Sequence, residues 1–332
     1  MAIILTNKYG ISDAIYKACL VDNHRTIGDI SVTQLLDSPQ VRMLRRANDI
    51  EEDVVDRIWA LMGTAVHYVV ELGEISSREA RILLEAAEVL MKQDQEKAAK
   101  WMYEFIEKTY PDYKNKNILT ENTLSHTIEG MTISGTFDRF DISKGLLDDY
   151  KNTSVWAYMN PESVKKWVGQ QNTYAFLLRE HGYDVKASQI TAIFRDFSAA
   201  KKFTKGYPKN PVETFPIKLQ SHAFMADYLL KRVRLHKAAE LDGIIPECTT
   251  KERWATSDTF AVTAPGRQRA IKVFPDKPMA DAFLLGEGAK YAKAFITKRP
   301  GEAKRCDSYC AVSHACPQNK LRLEQLKSEE NE

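Results

Sequence analysis

Apolar positions recur with two different periods along this chain, and the change of period organises it. Residues 50–72, IEEDVVDRIWALMGTAVHYVVEL, carry Val54, Ile58, Leu61, Ala65 and Val69 at helical spacing. Residues 77–109 continue as one long amphipathic helical stretch, with Ser76 or Ser77 as its cap and lysines gathering toward its end. Upstream, 12–19 and 31–46 read as shorter helices, the second broken or restarted at Pro39. From 118 to 151 the pattern becomes β-branched and partly alternating, with turns at Glu129-Gly130 and Lys144-Gly145. Helical spacing returns at 162–182, followed by a strand at 188–198 and a polar loop. A helix at 219–242, a hairpin at 258–274 turning at Pro265-Gly266, a helix near 277–292 and a cysteine-rich end complete the chain. This order predicts an α/β fold with a helical N-terminal part and a cysteine-rich C-terminal segment. The expected division is a core over 1–200 and a helical and hairpin region over 201–332 packed on it.

Composition narrows the setting without choosing a function. The 332 residues are 44% hydrophobic and 28% charged, enough for one large domain or two moderate ones. No apolar run is long enough to span a bilayer, so no membrane role is expected. The N-terminus lacks the basic region and cleavage site of a secretory signal, and the expected compartment is the cytoplasm. Five cysteines in a reducing compartment read as metal ligands or buried thiols. Net charge is +2, so a nucleic-acid partner would have to meet a local basic surface. Arg42, Arg45 and Arg46 share one helix face, suited either to solvent or to a phosphate.

The chemistry concentrates at Gly135–Lys151, GTFDRFDISKGLLDDYK. Asp138 and Asp149 fall on neighbouring strands of one hairpin, and Lys151, two residues on, points to the same face as Asp149. Two carboxylates on adjacent strands are hard oxygen ligands that suit Mg²⁺. The lysine can then stabilise charge developing on a phosphate. Taken alone, the spacing also describes a hairpin with surface charges. Three further pieces surround it: Gly63-x-x-x-His67 on the helix before, Gly135-x-x-Asp138 at the hairpin, and Gln170-x-x-x-Tyr174 on the helix after.

In this order the chain resembles the PD-(D/E)XK nuclease superfamily. It looks most like the branch of RecB-type helicase–nucleases, CRISPR-associated adaptation nucleases and phage recombination exonucleases. The resemblance covers roughly residues 30–200 and the C-terminal cysteines. It implies a restriction-endonuclease-like core, a central mixed β-sheet flanked by helices. It implies His67, Asp138, Asp149 and the Tyr150 carbonyl as ligands of Mg²⁺ or Mn²⁺, and Lys151 as the catalytic lysine. Gln170 and Tyr174 would shape the site and contact DNA. Phe137 stands where the superfamily's name has proline, and the second acid is Asp149 rather than glutamate. Asp148 precedes Asp149, and Lys151 sets which of the two is in register.

Cys306, Cys310 and Cys316 form a tight C-terminal cluster that reads as a metal site. A closed site needs a fourth ligand. Cys248 is the first candidate, with Cys19 and His314 as alternatives. Thiolates suit Zn²⁺ or an iron–sulfur cluster, and the resemblance points to [4Fe–4S]. Its usual upstream cysteine is missing, because the corresponding segment reads LLDSPQ. Lys201, Lys202 and Lys205 interleave with aromatics in a loop suited to single-stranded DNA, or to solvent.

The function expected is a metal-dependent deoxyribonuclease, an exonuclease on DNA ends or single strands. Its setting would be phage or bacterial replication, recombination or DNA processing, with a helicase or recombination protein as implied partner. If phage-encoded, it would act in the bacterial host cytoplasm. The rival is a non-catalytic nucleic-acid-binding protein with a structural zinc site.

Overall fold

A computed structural model describes residues 3–21, 27–75 and 78–330. The elements in chain order are β1 (Ile3–Thr6), α1 (Asp13–Leu20), β2 (Ile30–Ser31), α2 (Val32–Leu36), α3 (Pro39–Ala47), β3 (Ile50–Asp53), α4 (Val54–Gly73), α5 (Arg78–Lys92) and α6 (Glu96–Thr109). Then come β4 (Ile118–Ile128), β5 (Met131–Asp141), β6 (Leu146–Thr153), α7 (Val155–Met159), α8 (Pro161–Glu180), β7 (Ala187–Phe194), β8 (Val212–Ile217) and α9 (His222–Leu241). The chain ends with β9 (Thr259–Thr263), β10 (Lys272–Phe274), α10 (Lys277–Leu285), β11 (Phe295–Arg299), α11 (Lys304–Ser308) and α12 (Pro317–Glu330).

These elements form two compact units. The larger contains Leu5–Leu36 and Asp53–Lys237; the smaller joins Asp37–Glu52 to the chain from Ala238 onward. The expected boundary at residue 200 therefore lies inside the larger unit, and the smaller one recruits a short N-terminal segment.

The larger unit is α/β, with a mixed central sheet flanked by helices. Its strands run β4-β5-β6-β7-β8, with β2 pairing beside the first half of β5. The β6–β7 pair is parallel, whereas β4–β5, β5–β6 and β7–β8 are antiparallel. Glu129 (φ 46°) and Gly130 (φ 76°) make a two-residue turn of the kind whose twist matches a hairpin. That turn pairs Ile128 with Met131 and sets the whole β4–β5 register. The sheet buries Ile133, Phe137, Phe140 and Leu147 against Leu177 and Leu178 of α8 and Leu229 of α9. Local caps fix where the helices start. The Asp53 carboxylate accepts from Val55 N at the head of α4, and the Asn160 side chain accepts from Glu162 N at the head of α8.

The structure corrects several readings. The stretch 77–109 is two helices, because Asp94 adopts φ 56° and ends the first. The caps expected at Ser76 and Ser77 lie outside the described residues. Residues 50–53 form a strand before α4 begins. The sequence reading passed over β8 and β11. β8 carries Glu213 and Pro216 and sits at the sheet edge, where proline is tolerated and alternation is weakly enforced.

In the smaller unit β9 is flanked by β10 and β11, both antiparallel, and Val262, Phe274 and Ala280 pack beneath. Arg42 is buried there and pairs with Glu240 at 2.9 Å, and Arg46 pairs with the same carboxylate. A buried, paired arginine holds structure together, so Arg42 is not the phosphate contact its helix face suggested; Arg46 stays exposed beside the same carboxylate.

Candidate active site and thiol cluster

The site begins with the hairpin. Arg139 pairs with Asp148 and Asp141 with Leu146, a register that places Asp138 opposite Asp149. Alternation then separates the two neighbouring acids. Asp149 meets Lys151 Nζ at 2.7 Å, whereas Asp148 turns to the Arg139 guanidinium at 3.4 Å. The Tyr150 backbone N–H donates to Asp138 at 2.6 Å. Burial, and then the charge of Asp149, hold the Asp138 carboxyl well above the usual range. The positive charges of Lys151 and His67 oppose that shift. Two carboxylates this close and this buried call for a cation.

His67 reaches the hairpin from α4. Its Nε2 lies 3.0 Å from the Tyr150 carbonyl oxygen, and its Nδ1 lies 3.3 Å from Glu121 and 3.7 Å from Asp138. The Glu121 hydrogen bond, more than any other influence, pushes the imidazole up to about 9, although burial acts the other way. With acceptors on both nitrogens, the ring is placed to carry both protons.

Nothing in the sequence pattern marks Glu121. It sits on β4 at φ 44°, a backbone region unusual for a non-glycine residue. Counting outward from the Glu129-Gly130 turn would have found it, since Thr120 pairs with Arg139 and Asn122 with Phe137, leaving Glu121 opposite Asp138.

The remaining motif residues connect to the hairpin in a chain of contacts. Lys151 Nζ donates to Gln170 Oε1 at 3.2 Å, and Gln170 Nε2 donates to the Tyr174 hydroxyl at 3.0 Å. The Tyr174 ring lies where a Cβ on Gly135 would stand, with Tyr174 Cε1 only 2.6 Å from that position. Gly135 is thus explained by Tyr174, and Tyr174 holds Gln170, which holds Lys151. Tyr174 is buried, so its place is behind the site rather than against DNA. Gly63 has the opposite surroundings. Among the described residues, outside its own turn of helix, no atom lies within 4 Å of where its Cβ would be, so no close backbone approach requires a glycine there.

The donor set fits a small hard cation. His67 and Asp138, with Glu121 beside the imidazole Nδ1, have ligand atoms within 4.8 Å of one another. Octahedral Mg²⁺ at about 2.1 Å has neighbouring ligands about 3.0 Å apart. The His67 Nε2 to Tyr150 O separation of 3.0 Å matches that edge. Glu71 and Glu74 extend the acidic lining of the cleft.

The four expected thiols gather in the smaller unit. Cys248 and Cys310 pack on Val41, Ile50 and Val312, and the Cys248 thiol donates to Ser38 Oγ at 3.2 Å. Ser38 belongs to LLDSPQ, the segment that lacks the upstream cysteine, and Cys248 occupies that neighbourhood instead. Gln40 and Gln318 both accept from Cys248 N, and Gln318 donates back to its carbonyl. Burial pushes the Cys248 thiol up to about 11, and Cys316 adds to the shift. Burial also raises the Cys306 thiol, with Cys310 and Cys316 contributing and Arg322 and Arg253 opposing. Cys19 lies in the larger unit against Leu5 and Val54, and His314 is exposed. Arg305 lies near Cys248 and Cys310, and Arg253 and Arg322 near Cys306.

Lys201, Lys202 and Lys205 are exposed on the loop between β7 and β8. That loop is pinned by the Tyr207 hydroxyl, which accepts from Ser198 N at 2.8 Å, and by Phe197 against the Tyr207 ring. His126 and His181 serve the scaffold, the first beside Glu180 and the second on the Leu177 carbonyl.

No curated protein matches the chain. Among solved structures, the crystal structure of SSO0001 is similar at 13% identity and a TM-score of 0.32, covering 69% of this chain and 87% of that one. So low a score carries no argument. The sequence profile of the PD-(D/E)XK nuclease superfamily, by contrast, matches residues 24–317, spanning the His67 helix, the Asp138–Lys151 hairpin, the Gln170 helix and all four clustered cysteines. The chain belongs to the PD-(D/E)XK nuclease superfamily.

Proposed function

We propose that the protein is a Mg²⁺- or Mn²⁺-dependent deoxyribonuclease, acting as an exonuclease on DNA ends or single strands. The observation that carries this reading is the convergence of His67, Asp138, Asp149 and the Tyr150 carbonyl, with Lys151 held between Asp149 and Gln170. A divalent cation bound there would polarise a phosphate oxygen and lower the pKa of a bound water. His67, Asp138, Asp149 and the Tyr150 carbonyl would hold it. Lys151 sits where its ammonium can meet a phosphate oxygen as charge develops. Gln170 restricts Lys151 to that direction, and Tyr174 restricts Gln170.

We assign Cys248, Cys306, Cys310 and Cys316 to a [4Fe–4S] cluster that ties the smaller unit's separate segments together. The C-terminal triplet of cysteines that the superfamily resemblance rests on supports this over zinc, and Arg253, Arg305 and Arg322 are placed to balance thiolate charge. Five free cysteines suit a reducing, cytoplasmic setting. No helix among the described residues is long and apolar enough to cross a membrane.

The test is cleavage of 5′- and 3′-labelled single- and double-stranded oligonucleotides with Mg²⁺ or Mn²⁺. Shortening from one end supports the reading. Efficient cutting of closed circular DNA would contradict the exonuclease assignment.

A further inference from the structure

Between the hairpin and solvent lies a feature that the metal site does not use. Arg195 Cζ sits 4.2 Å from the centroid of the Trp59 ring. Trp59 remains 50% exposed with the guanidinium on it, so much of the indole stays open to solvent. Among the described residues no carboxylate pairs with Arg195, whose one side-chain hydrogen bond is a long one of 3.5 Å to the Asn152 carbonyl. An exposed indole under a guanidinium with no carboxylate partner adds little to the fold. It has the surface chemistry of a stacking platform for a nucleobase next to a site for a phosphate.

Its position relative to the hairpin is fixed by the backbone. Arg195 N donates to Thr153 O, so Arg195 is anchored at the end of β6, just past Lys151. On α4, Trp59, Gly63 and His67 follow one another at intervals of four and share a face. Helix α4 therefore runs along β6 with His67 opposite Tyr150 and Trp59 opposite Asn152–Thr153. Eight helical residues advance about 12 Å. Midway, Gly63 leaves the face bare, with no described atom outside its own turn of helix within 4 Å of its missing Cβ. Glycine inside a helix is unfavourable, and no close packing requires it here. The result is an open track from the metal ligands, past Lys151 and Gly63, to an aromatic and cationic end.

We propose that Trp59 and Arg195 form a binding subsite for one unpaired nucleobase of the substrate strand, with Arg195 also meeting a flanking phosphate. This rests on the nuclease reading and specifies its substrate as a strand whose bases are unstacked near the site. At the roughly 3.4 Å rise of stacked bases about 12 Å is at most about four nucleotides, and fewer in an unstacked, more extended strand, so the base held is roughly two to four nucleotides from the cut phosphate. A base inside a duplex offers no free face to the indole, so the subsite selects single strands or frayed ends.

The test uses the full chain carrying Lys151→Ala, with Mg²⁺ and a fluorescent 20-nucleotide single strand, binding being read by anisotropy. Adding Trp59→Ala should weaken binding about five- to hundred-fold. Trp59→Phe should recover most of that loss. Replacing each base in turn by an abasic residue should reveal one position whose loss weakens the Trp59-containing protein and leaves the Trp59→Ala protein unchanged. Equal abasic profiles in the two proteins would overturn the proposal, as would an equal Trp59→Ala penalty for a blunt duplex. Folding of each variant is checked by circular dichroism, and Trp59 is half exposed, so a structural loss is not expected. If the Trp59-containing protein binds no oligonucleotide of any form, the nuclease reading itself fails. If it binds and Trp59→Ala changes nothing, only the subsite fails.

Discussion

The hairpin site of the larger unit and the thiol cluster of the smaller unit offer different ligands, and they are built in opposite ways. At the hairpin the ligands are hard, oxygen and imidazole, and they ride on regular elements whose geometry the sheet enforces. Asp138 and Asp149 are fixed by β5–β6 pairing, and His67 by a 20-residue helix capped by Asp53. The thiols are soft ligands carried on loops and one short helix, α11, in a unit whose own sheet has three strands. The first arrangement stands ready without its cation and leaves positions for water and substrate. The second is gathered by side-chain and loop contacts, Gln318 bonding both the N–H and the carbonyl of Cys248 and Arg305 reaching the Glu252 carbonyl. One site is suited to chemistry and the other to assembly.

The sharpest way to break that comparison is to remove function from one site without disturbing the fold. Lys151→Ala should lower the cleavage rate by about 10³, in line with losing a fixed charge that meets the developing negative charge. Metal binding and the thermal midpoint should stay near wild type, measured by calorimetry. A large fall in the midpoint would mean that Lys151 is structural.

Cys316→Ala should do the reverse. Visible absorbance near 400 nm should be lost, and the smaller unit should become sensitive to protease, with a stability loss of several kcal/mol. Mn²⁺ binding at the hairpin should survive. A colourless wild-type protein carrying zinc would replace the cluster assignment.

Glu121→Gln tests the outer support of His67. The carboxylate orients the ring and holds the proton on Nδ1, leaving Nε2 for the cation. Metal affinity should fall about 10- to 100-fold. In a His67→Ala background the same change should add almost nothing; additive losses would show that Glu121 acts on its own.

The smallest effect is that of pH. The imidazole of His67 is held up to about 9 and the Asp138 carboxyl is raised, so both carry protons that a cation must displace. Affinity for Mn²⁺ should therefore tighten as pH rises from 6 to 9, by about tenfold per unit for each proton released, and level off above. An affinity independent of pH over that window would mean that His67 is not a ligand.

Much of the hairpin was legible because its determinants are local. Alternation counted from Lys151 separates Asp149 from Asp148. The Glu129-Gly130 turn carried equally good information about Glu121, but only through a register counted across two strands. The connection from Gly135 to Lys151 was not legible, since it depends on a ring from α8 filling a missing Cβ on β5. Cys248 was named for its chemistry; its meeting with Ser38 joins positions 210 residues apart. Asp94 and the edge strand β8 escaped for a related reason: neither a left-handed helix end at an aspartate nor a charged edge strand leaves a periodic signal.

The most direct test is a Mn²⁺ titration of the wild-type protein and Asp149→Ala, with bound metal read by electron paramagnetic resonance and cleavage of a labelled single strand read in the same samples. The account predicts that cleavage rises with occupancy of one tight site in the wild type, and that Asp149→Ala loses both together. Cleavage persisting in excess chelator, or undiminished in Asp149→Ala, would contradict it.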